Sequence, residues 1–180
     1  MMPLSYGGIP VPWTVSWSAE TIGGFHLAPC PFADGRRAIC QAVVPGEGKP
    51  RFGAPHMQRQ REAIARELCD LCGRPLKLTT KVSLSHARMR AGAEGPCVMQ
   101  VEPMLHKACA AISIRHCPSL KRDLAAGTML VRQVKRWRGQ FALMSPVYVA
   151  EQTGIEVMAV GHAKIELLAW IDRSPDWIGA

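Results

Sequence analysis

The chain has 180 residues, of which 48% are hydrophobic and 20% are charged, a balance that is typical of globular proteins. We therefore expect one domain with a hydrophobic core, and the composition excludes a chain that is disordered over most of its length. The formal net charge is +8, which favours a nucleic acid or an acidic protein surface as the partner.

Residues 1–50 are rich in glycine and proline, which predicts an extended and irregular N-terminal region. Within it, residues 11–18 alternate enough to form a strand that carries Trp13 and Trp17. The first residues lack a charged segment followed by an apolar run, so we do not expect a secretory signal. No apolar stretch approaches the roughly 20 residues that a membrane-spanning helix needs, so we expect no membrane partner.

A helix is predicted from His56 to Leu68, with an apolar face and a polar face. The residues of the apolar face are Met57, Ile64, Ala65 and Leu68. The polar face is predicted to be solvated and carries Arg59, Arg61, Glu62, Arg66 and Glu67. This helix leads directly into the first pair of potential metal ligands.

Two short-spaced pairs of potential ligands predict a structural zinc site. Cys69 and Cys72 have the spacing of a knuckle turn, and Gly73 follows where the chain needs a positive φ to leave that turn. His106 and Cys109 are three residues apart, so a helix places both side chains on one face. Structural zinc prefers four such nitrogen and sulfur ligands. We therefore interpret Cys69, Cys72, His106 and Cys109 as the ligands of one zinc ion.

The order of these segments is that of a treble-clef zinc finger, in which a knuckle, a hairpin and a ligand-bearing helix follow one another. The 33 residues between the two pairs leave room for the hairpin. Cys97, in a predicted strand over residues 97–101, is the alternative to His106 as fourth ligand. A redox pair is an alternative for Cys69 and Cys72, but the strand-then-helix pattern of thioredoxin is missing.

The cysteine pattern also predicts the compartment. The number of cysteines is odd, at seven, and two of them form a metal-type pair, which indicates a reducing environment rather than a disulfide framework and so a cytoplasmic protein.

The chain resembles a group of uncharacterised zinc-finger-like proteins from bacteria and their phages. The resemblance rests on Trp17-Ser18-Ala19-Glu20, Arg59-Gln60-Arg61, Cys69-x-x-Cys72-Gly73, His106-x-x-Cys109 and Cys117-Pro118-Ser119-Leu120. In that group the second ligand pair is often two cysteines, whereas here it is His106 and Cys109. The resemblance implies a zinc site and assigns no activity.

The C-terminal part is predicted to be an antiparallel sheet closed by a helix. Strands are predicted over residues 129–137, 141–144, 148–150 and 155–160, with turns at Gly139-Gln140 and Gln152-Thr153-Gly154. The closing helix spans residues 162–172 and buries Ile165, Leu168 and Ile171. The fold class is therefore α+β, with a treble-clef-type zinc centre. We expect a single domain over 1–180, made of the N-terminal region 1–50, a zinc-binding core 55–124 and the sheet with its helix 125–180.

A basic segment follows the second ligand pair. From Arg115 to Arg138 there are seven lysines and arginines, and only Asp123 opposes them. A tryptophan among arginines suits stacking on nucleic-acid bases. The candidate nucleic-acid-binding residues are Arg132, Lys135, Arg136, Trp137 and Arg138. The alternative is a solvated edge, because edge strands carry lysine and arginine that prevent further strand pairing.

The sequence thus predicts a zinc-stabilised, non-enzymatic binding protein. One alternative is an HNH-type nuclease, which needs a histidine base, a polar partner and a catalytic metal. His86 is the only histidine between the ligand pairs, and its neighbours Ser85 and Ala87 supply no carboxylate. A phage structural or assembly component is the other alternative.

Overall fold

A computed structural model of the chain describes residues 3–179 and confirms the α+β class. The strands are β1 (Leu4–Tyr6), β2 (Ile9–Val11), β3 (Val15–Trp17), β4 (His26–Pro29), β5 (Arg37–Cys40), β6 (Pro50–Pro55), β7 (Lys81–Ser85), β8 (Met89–Gly92), β9 (Gly95–Gln100), β10 (Leu105–His106), β11 (Leu130–Met144) and β12 (Ala159–Arg173). The helices are α1 (Met57–Ala65), α2 (Lys107–His116), α3 (Pro118–Ala125) and α4 (Pro146–Thr153).

The main sheet is built on the long antiparallel pair of β11 and β12. The strands pair along most of their length, from Val131 opposite Arg173 to Met144 opposite Ala159. On the other edge of β11 lies β7, and β10 pairs beyond it. The outer edge of β12 is shared by β5, which runs parallel at Val160, and by β9, which runs antiparallel at residues 165–167.

The largest group of buried apolar residues joins these strands to the segment with the ligands. It includes Leu71 beside the first cysteine pair, Ala110 of α2, Val82 of β7, Val131 of β11 and Ile165 of β12. Each of the larger side chains contributes about 1.5–3 kcal/mol by leaving water. The ligand-bearing segments are therefore positioned against the sheet by apolar burial.

Helix α1 is buried through its polar side chains, so the prediction of a solvated arginine face is wrong for Arg59 and Arg61. His56 caps the helix by accepting the N–H of Arg59, and Glu67 ends the segment in the left-handed conformation with φ 51°. On the edge of β12 that faces away from β11, residues 161–164 lie between the pairing sites of β5 and β9 and have no strand beside them. Gln60 fills this gap, because its amide both donates to the Ala163 carbonyl and accepts the Ala163 N–H, each at 2.8 Å.

Arg61 completes the same edge. Its guanidinium donates to the Gly161 carbonyl of β12 and, at 2.8 Å, to the Ile39 carbonyl of β5. Backbone carbonyl groups that lack a strand partner are costly to bury, and a guanidinium with five donors can satisfy several of them. This explains why a polar helix face points inward here.

The N-terminal region is more ordered than the sequence predicts. It contributes β1 and β2 as a hairpin, β3 paired with β6, and β4 paired with β5. Arg59 anchors it by donating to the carbonyls of Trp13 and Val15 at 2.7 and 2.8 Å and by pairing with the buried carboxylate of Glu20.

The predicted closing helix over residues 162–172 is wrong, because this segment lies within β12. Ile165, Leu168 and Ile171 are three residues apart and so imitate helical spacing. Ala163, Ile165 and Leu167 are all buried, and their two-residue spacing is that of a strand. The pairing with β11 therefore prevails over the local pattern.

The predicted turn at Gly139-Gln140 is also wrong, since both residues lie within β11. A Cβ at Gly139 would lie 3.1 Å from a side-chain carbon of Ile64, so glycine permits the close approach of α1. The pairing of β11 with β12 shifts register near Arg136 and between Phe141 and Leu143, as at β-bulges, and β11 continues through both places.

The predicted strand over residues 148–150 and its hairpin at Gln152-Thr153-Gly154 are replaced by α4. The Ser145 hydroxyl accepts the N–H of Tyr148, and Pro146 occupies the first turn. Gly154 ends the helix with φ 74°. Serine, proline and glycine at these positions are ordinary helix-boundary signals.

The buried Glu20–Arg59 pair generates a test of stability. Burial raises the pKa of Glu20, but the Arg59 hydrogen bond, the Trp17 N–H and the charges of Arg59 and His56 together bring this pKa below 4.5. The resulting stabilisation is present above about pH 4.5 and is lost as the pH falls through the lowered folded-state pKa. Glu20→Gln leaves a buried charge unpaired and should lower the free energy of unfolding at pH 7 by about 3 kcal/mol.

Urea denaturation checks this expectation at pH 7 and at intervals down to pH 3.5. Glu62→Gln is the matched control, because it makes the same substitution in an exposed i,i+4 pair with Arg66 and should cost at most about 0.5 kcal/mol. The difference between wild type and Glu20→Gln should narrow as the pH falls below 4.5. Equal losses for the two variants at pH 7 would contradict the role given to Glu20.

Candidate metal centre

The first cysteine pair lies on a tight turn directly after α1. The Gly73 N–H donates to the Cys69 carbonyl and the Cys69 N–H donates to the Arg74 carbonyl, both at 2.8 Å. Gly73 has φ 66°, as the sequence predicts. A Cβ at Gly73 would also lie 2.9 Å from the Trp13 ring, so glycine is required there for two reasons.

The N-terminal region covers this turn. The Trp13 N–H donates to the Asp70 carbonyl at 2.8 Å, and the Thr14 hydroxyl donates to the Asp70 carboxylate. The Asp70 N–H donates to the Met104 carbonyl at 2.9 Å, which ties the turn to the segment before the second ligand pair. Burial raises the pKa of Asp70 to about 6, the Thr14 hydrogen bond opposes this shift, and the charge of Glu102 adds to it.

The second pair lies where β10 meets α2. His106 is the residue before the first turn of α2, and Cys109 is in that turn. Pairing of β10 with β7 places His106 opposite Lys81 and fixes the start of the helix. The predicted helix is therefore present, and the three-residue spacing places His106 and Cys109 together at its start.

The structure brings all four predicted ligands together. The Sγ atoms of Cys69, Cys72 and Cys109 and a ring nitrogen of His106 all lie within 4.8 Å of one another. His106 Nδ1 is 3.5 Å from Cys72 Sγ and 3.8 Å from Cys109 Sγ. Bond lengths of 2.0–2.1 Å to nitrogen and 2.3 Å to sulfur in a tetrahedron predict an N···S separation of about 3.6 Å. The four residues are therefore spaced to bind one metal ion.

A hydrogen bond orients the histidine for this role. His106 Nε2 is 3.1 Å from the Pro75 carbonyl oxygen and donates its proton there. The lone pair of Nδ1 is then directed at the three sulfur atoms. Metal-bound histidines are usually held in this way through their second nitrogen.

The ligands also respond to one another electrostatically. A hydrogen bond to Cys109, together with burial, raises the pKa of Cys69, and the same hydrogen bond lowers the pKa of Cys109. Cys69 therefore keeps its proton while Cys109 is the better thiolate, and metal binding must displace that proton. Arg74 faces the site: its hydrogen bond to Cys72 and the thiolate charges raise the pKa of Arg74.

The other cysteines lie apart from this group. Cys97, the alternative fourth ligand, is buried in β9 and lies outside the group of converging ligands, so the structure favours His106. Cys30 and Cys40 are buried against Arg61, whose nitrogens lie 3.3 and 3.6 Å from their sulfurs. Cys117 is half-buried after α2.

The candidate nucleic-acid-binding residues do not form one surface. Arg132 is 2% exposed and donates to the Ala87 carbonyl at 2.6 Å, so this side chain belongs to the core and the prediction of a phosphate contact there is corrected. Arg138 is bound by the carboxylates of Glu94 and Glu166, which neutralise it. Non-local carboxylates and carbonyls of this kind cannot be identified from the spacing of arginines.

Four of the five candidates retain some exposure, and one of these is Arg138, whose side chain is 38% exposed beside its carboxylate partners. Lys135 and Arg136 are exposed on β11, where the pairing with β12 shifts register. Trp137 is half-buried and packs against the main core. Alternate residues of a regular strand point to opposite faces, but Lys135 and Arg136 are both exposed at this irregularity.

His86 acquires a partner that the sequence analysis missed. Its Nε2 lies 3.4 Å from a carboxylate oxygen of Asp123, and its Nδ1 lies 3.2 Å from the Thr128 carbonyl oxygen. Asp123 is in α3, far from His86 in sequence, so no local motif marks the pair. Within residues 3–179, the Cys69, Cys72, His106 and Cys109 group is the one metal-type cluster of three or more ligands.

Comparisons of the chain with protein-family models, with curated proteins and with solved structures find no match. Among residues 3–179, no helix has both the length and the apolar character needed to cross a membrane.

The geometry predicts one bound metal ion per chain, and the ligand pairs provide a direct test. Cys72→Ser removes one thiolate, so the variant purified under reducing, chelator-free conditions should hold much less metal than the wild type. Because metal binding contributes to folding, the variant should also unfold at a lower temperature. Elemental analysis and thermal unfolding measure the two effects.

Cys117→Ser is the matched control, because Cys117 lies outside the ligand group. It should keep its metal and its unfolding temperature within a few degrees of the wild type. Equal metal content in the two variants would exclude Cys72 as a ligand.

Proposed function

We propose that this chain is a zinc-stabilised, non-enzymatic binding protein with a treble-clef-type centre. The order of elements supports this assignment: a cysteine turn is followed by the β8–β9 hairpin and then by a helix whose start carries the second pair. The proposal also agrees with the resemblance to zinc-finger-like proteins of bacteria and phages.

Zinc is the metal that suits the donor set best. Three thiolates and one imidazole in a tetrahedral arrangement are typical of structural zinc, whereas magnesium and calcium prefer oxygen ligands. Thiolate ligands persist in a reducing compartment, so we also propose a cytoplasmic location.

The completeness of the ligand set carries the non-enzymatic assignment. Catalytic zinc sites keep one position for water or substrate, whereas structural sites fill all four positions with protein side chains. Here four side chains converge within 4.8 Å, and Cys69, Cys72 and Cys109 are buried. A zinc ion so enclosed holds the turn against the start of α2 and has no position left for a reacting group.

The net charge of +8 supports an anionic partner, either a nucleic acid or an acidic protein surface. Lys135 and Arg136 are the candidate residues that stay exposed and unpaired among the described residues. Lys121 of α3 adds a further exposed positive charge. We propose nucleic acid as the partner to test first, because phosphate contacts leave a clear signature in the salt dependence.

The HNH-type nuclease is a second candidate because the structure pairs His86 with Asp123. A carboxylate can orient a histidine that acts as a general base. A catalytic metal would need further ligands around this pair. Incubation of plasmid DNA with the protein and Mg²⁺ tests this candidate, and cleavage that is lost in His86→Ala would support it over the binding proposal.

A phage structural or assembly role is a third candidate, and exposed apolar side chains around α4 favour it. Five such residues, each at least 36% exposed, surround this connection between β11 and β12: Leu143, Val147, Tyr148, Ile155 and Met158. Exposed apolar groups of this kind often mark protein contacts. Sedimentation velocity over a range of concentrations should show self-association that Val147→Glu abolishes, and a strictly monomeric wild type would contradict self-assembly.

The nucleic-acid proposal predicts a steep dependence on salt. Labelled single- and double-stranded DNA and RNA should bind at low salt and weaken as salt rises, because each phosphate contact releases condensed counterions. Arg136→Gln should lower the affinity for all sequences alike and reduce the slope of log K against log salt by about one. Fluorescence anisotropy at several salt concentrations measures both quantities.

Arg37→Gln is the matched control, since it removes the same charge from an exposed position on β5. It should change the affinity less than Arg136→Gln. Absence of binding at low salt would exclude nucleic acid and leave the acidic protein surface as the proposed partner.

A further inference from the structure

A largely apolar cavity of about 470 Å³ lies beside the metal centre. Its walls come from segments far apart in sequence: Pro10 of β2, Leu71 of the cysteine turn, Ile112 of α2 and Leu120 of α3 are among its lining residues. Ligand cavities of about 300–1,000 Å³ with mostly apolar walls are typical of small-molecule sites. The volume and the lining are therefore suited to the body of an apolar ligand.

A second cavity, of about 460 Å³, adjoins the first. The two share Pro12, Asp70, Glu102 and Pro103, so both carboxylates stand at their junction. Asp70 is half-buried and Glu102 is exposed. An apolar ligand in the first cavity can thus place a polar head group between the two carboxylates.

Among the described residues, neither Asp70 nor Glu102 forms an ion pair with a basic side chain. Among residues 3–179, no lysine, arginine or histidine nitrogen lies within 4.0 Å of either group. The Thr14 hydroxyl donates to Asp70, but this bond brings no positive charge. Two neighbouring negative charges without a counter-ion are unusual on a chain of net charge +8. The position is complementary to a cation.

We propose that the paired cavities bind a small amphiphilic amine, with its apolar body against Ile112 and Leu120 and its ammonium group between Asp70 and Glu102. This site goes beyond the anionic partner of the proposed function and uses other residues. Leu71 and Ile112 lie on the two segments that the metal ligands join, so the metal centre also shapes the cavity.

A matched series of probes tests both parts of the inference on the full metal-loaded chain. n-Octylammonium, 1-octanol and octanoate share one apolar body and differ in the charge of the head group. Calorimetric titration should show saturable binding with one site, strongest for octylammonium, weaker for octanol and weakest for octanoate. No saturable binding of any probe would overturn the cavity as a site. If octanol or octanoate bound with the same affinity as octylammonium, the assignment of a cationic head group would be overturned.

Glu102→Gln should weaken octylammonium binding about two- to fivefold, as expected for a solvent-exposed ion pair, and should leave octanol unchanged. Glu156→Gln is the matched control, because it removes the same charge from an exposed residue outside both cavities. Equal effects of the two variants on octylammonium would overturn the contact with Glu102.

Ser113→Phe adds bulk to the wall of the first cavity, on α2, and should weaken all three probes. Metal content and unfolding temperature show whether this variant is folded. If the variant is unfolded, the titrations of the three probes against the wild-type chain still decide the proposal. In the wild-type chain, a full metal content without binding of any probe would reject the amine site and leave the zinc proposal intact.

Discussion

The rest of the structure depends on the hydrogen bonds that α1 makes with its polar side chains. Gln60 and Arg61 occupy the part of the β12 edge that lies between β5 and β9, where no strand is present. Arg59, one residue earlier, holds the N-terminal region through two carbonyls and Glu20. The same helix ends directly before the first cysteine pair. One element thus joins the sheet, the N-terminal region and the metal centre.

The metal centre extends this arrangement to α2. The turn with Cys69 and Cys72 is anchored by α1 on one side and by Trp13 on the other, while His106 and Cys109 start a helix packed on the sheet. A metal ion held by the four residues would fix the distance between these two halves. The apolar cavity lies between them, so its shape, the fold and the ligand geometry are linked through the same contacts.

The distribution of charge is decided by non-local partners. Arg132, Arg138 and Arg59 would all count as surface charge in the sequence, yet each is used inside the protein or bound by carboxylates. The exposed charge is therefore smaller and more dispersed than the sequence indicates. Asp70 and Glu102 show the opposite effect, since two isolated carboxylates become neighbours only after folding.

The sequence by itself determined which four residues could bind a metal ion, because such a site requires certain residue types at short spacings and Gly73 at a fixed position. It also determined the α+β class, the helix after His106 and the positive charge. Only the tertiary structure decided that residues 162–172 form a strand, that Arg59, Gln60 and Arg61 point inward, and that His86 meets Asp123. The physical reason is that these outcomes depend on partners distant in sequence: the edge of β11, unpaired carbonyls of β12 and a carboxylate of α3. Local periodicity carries no information about them.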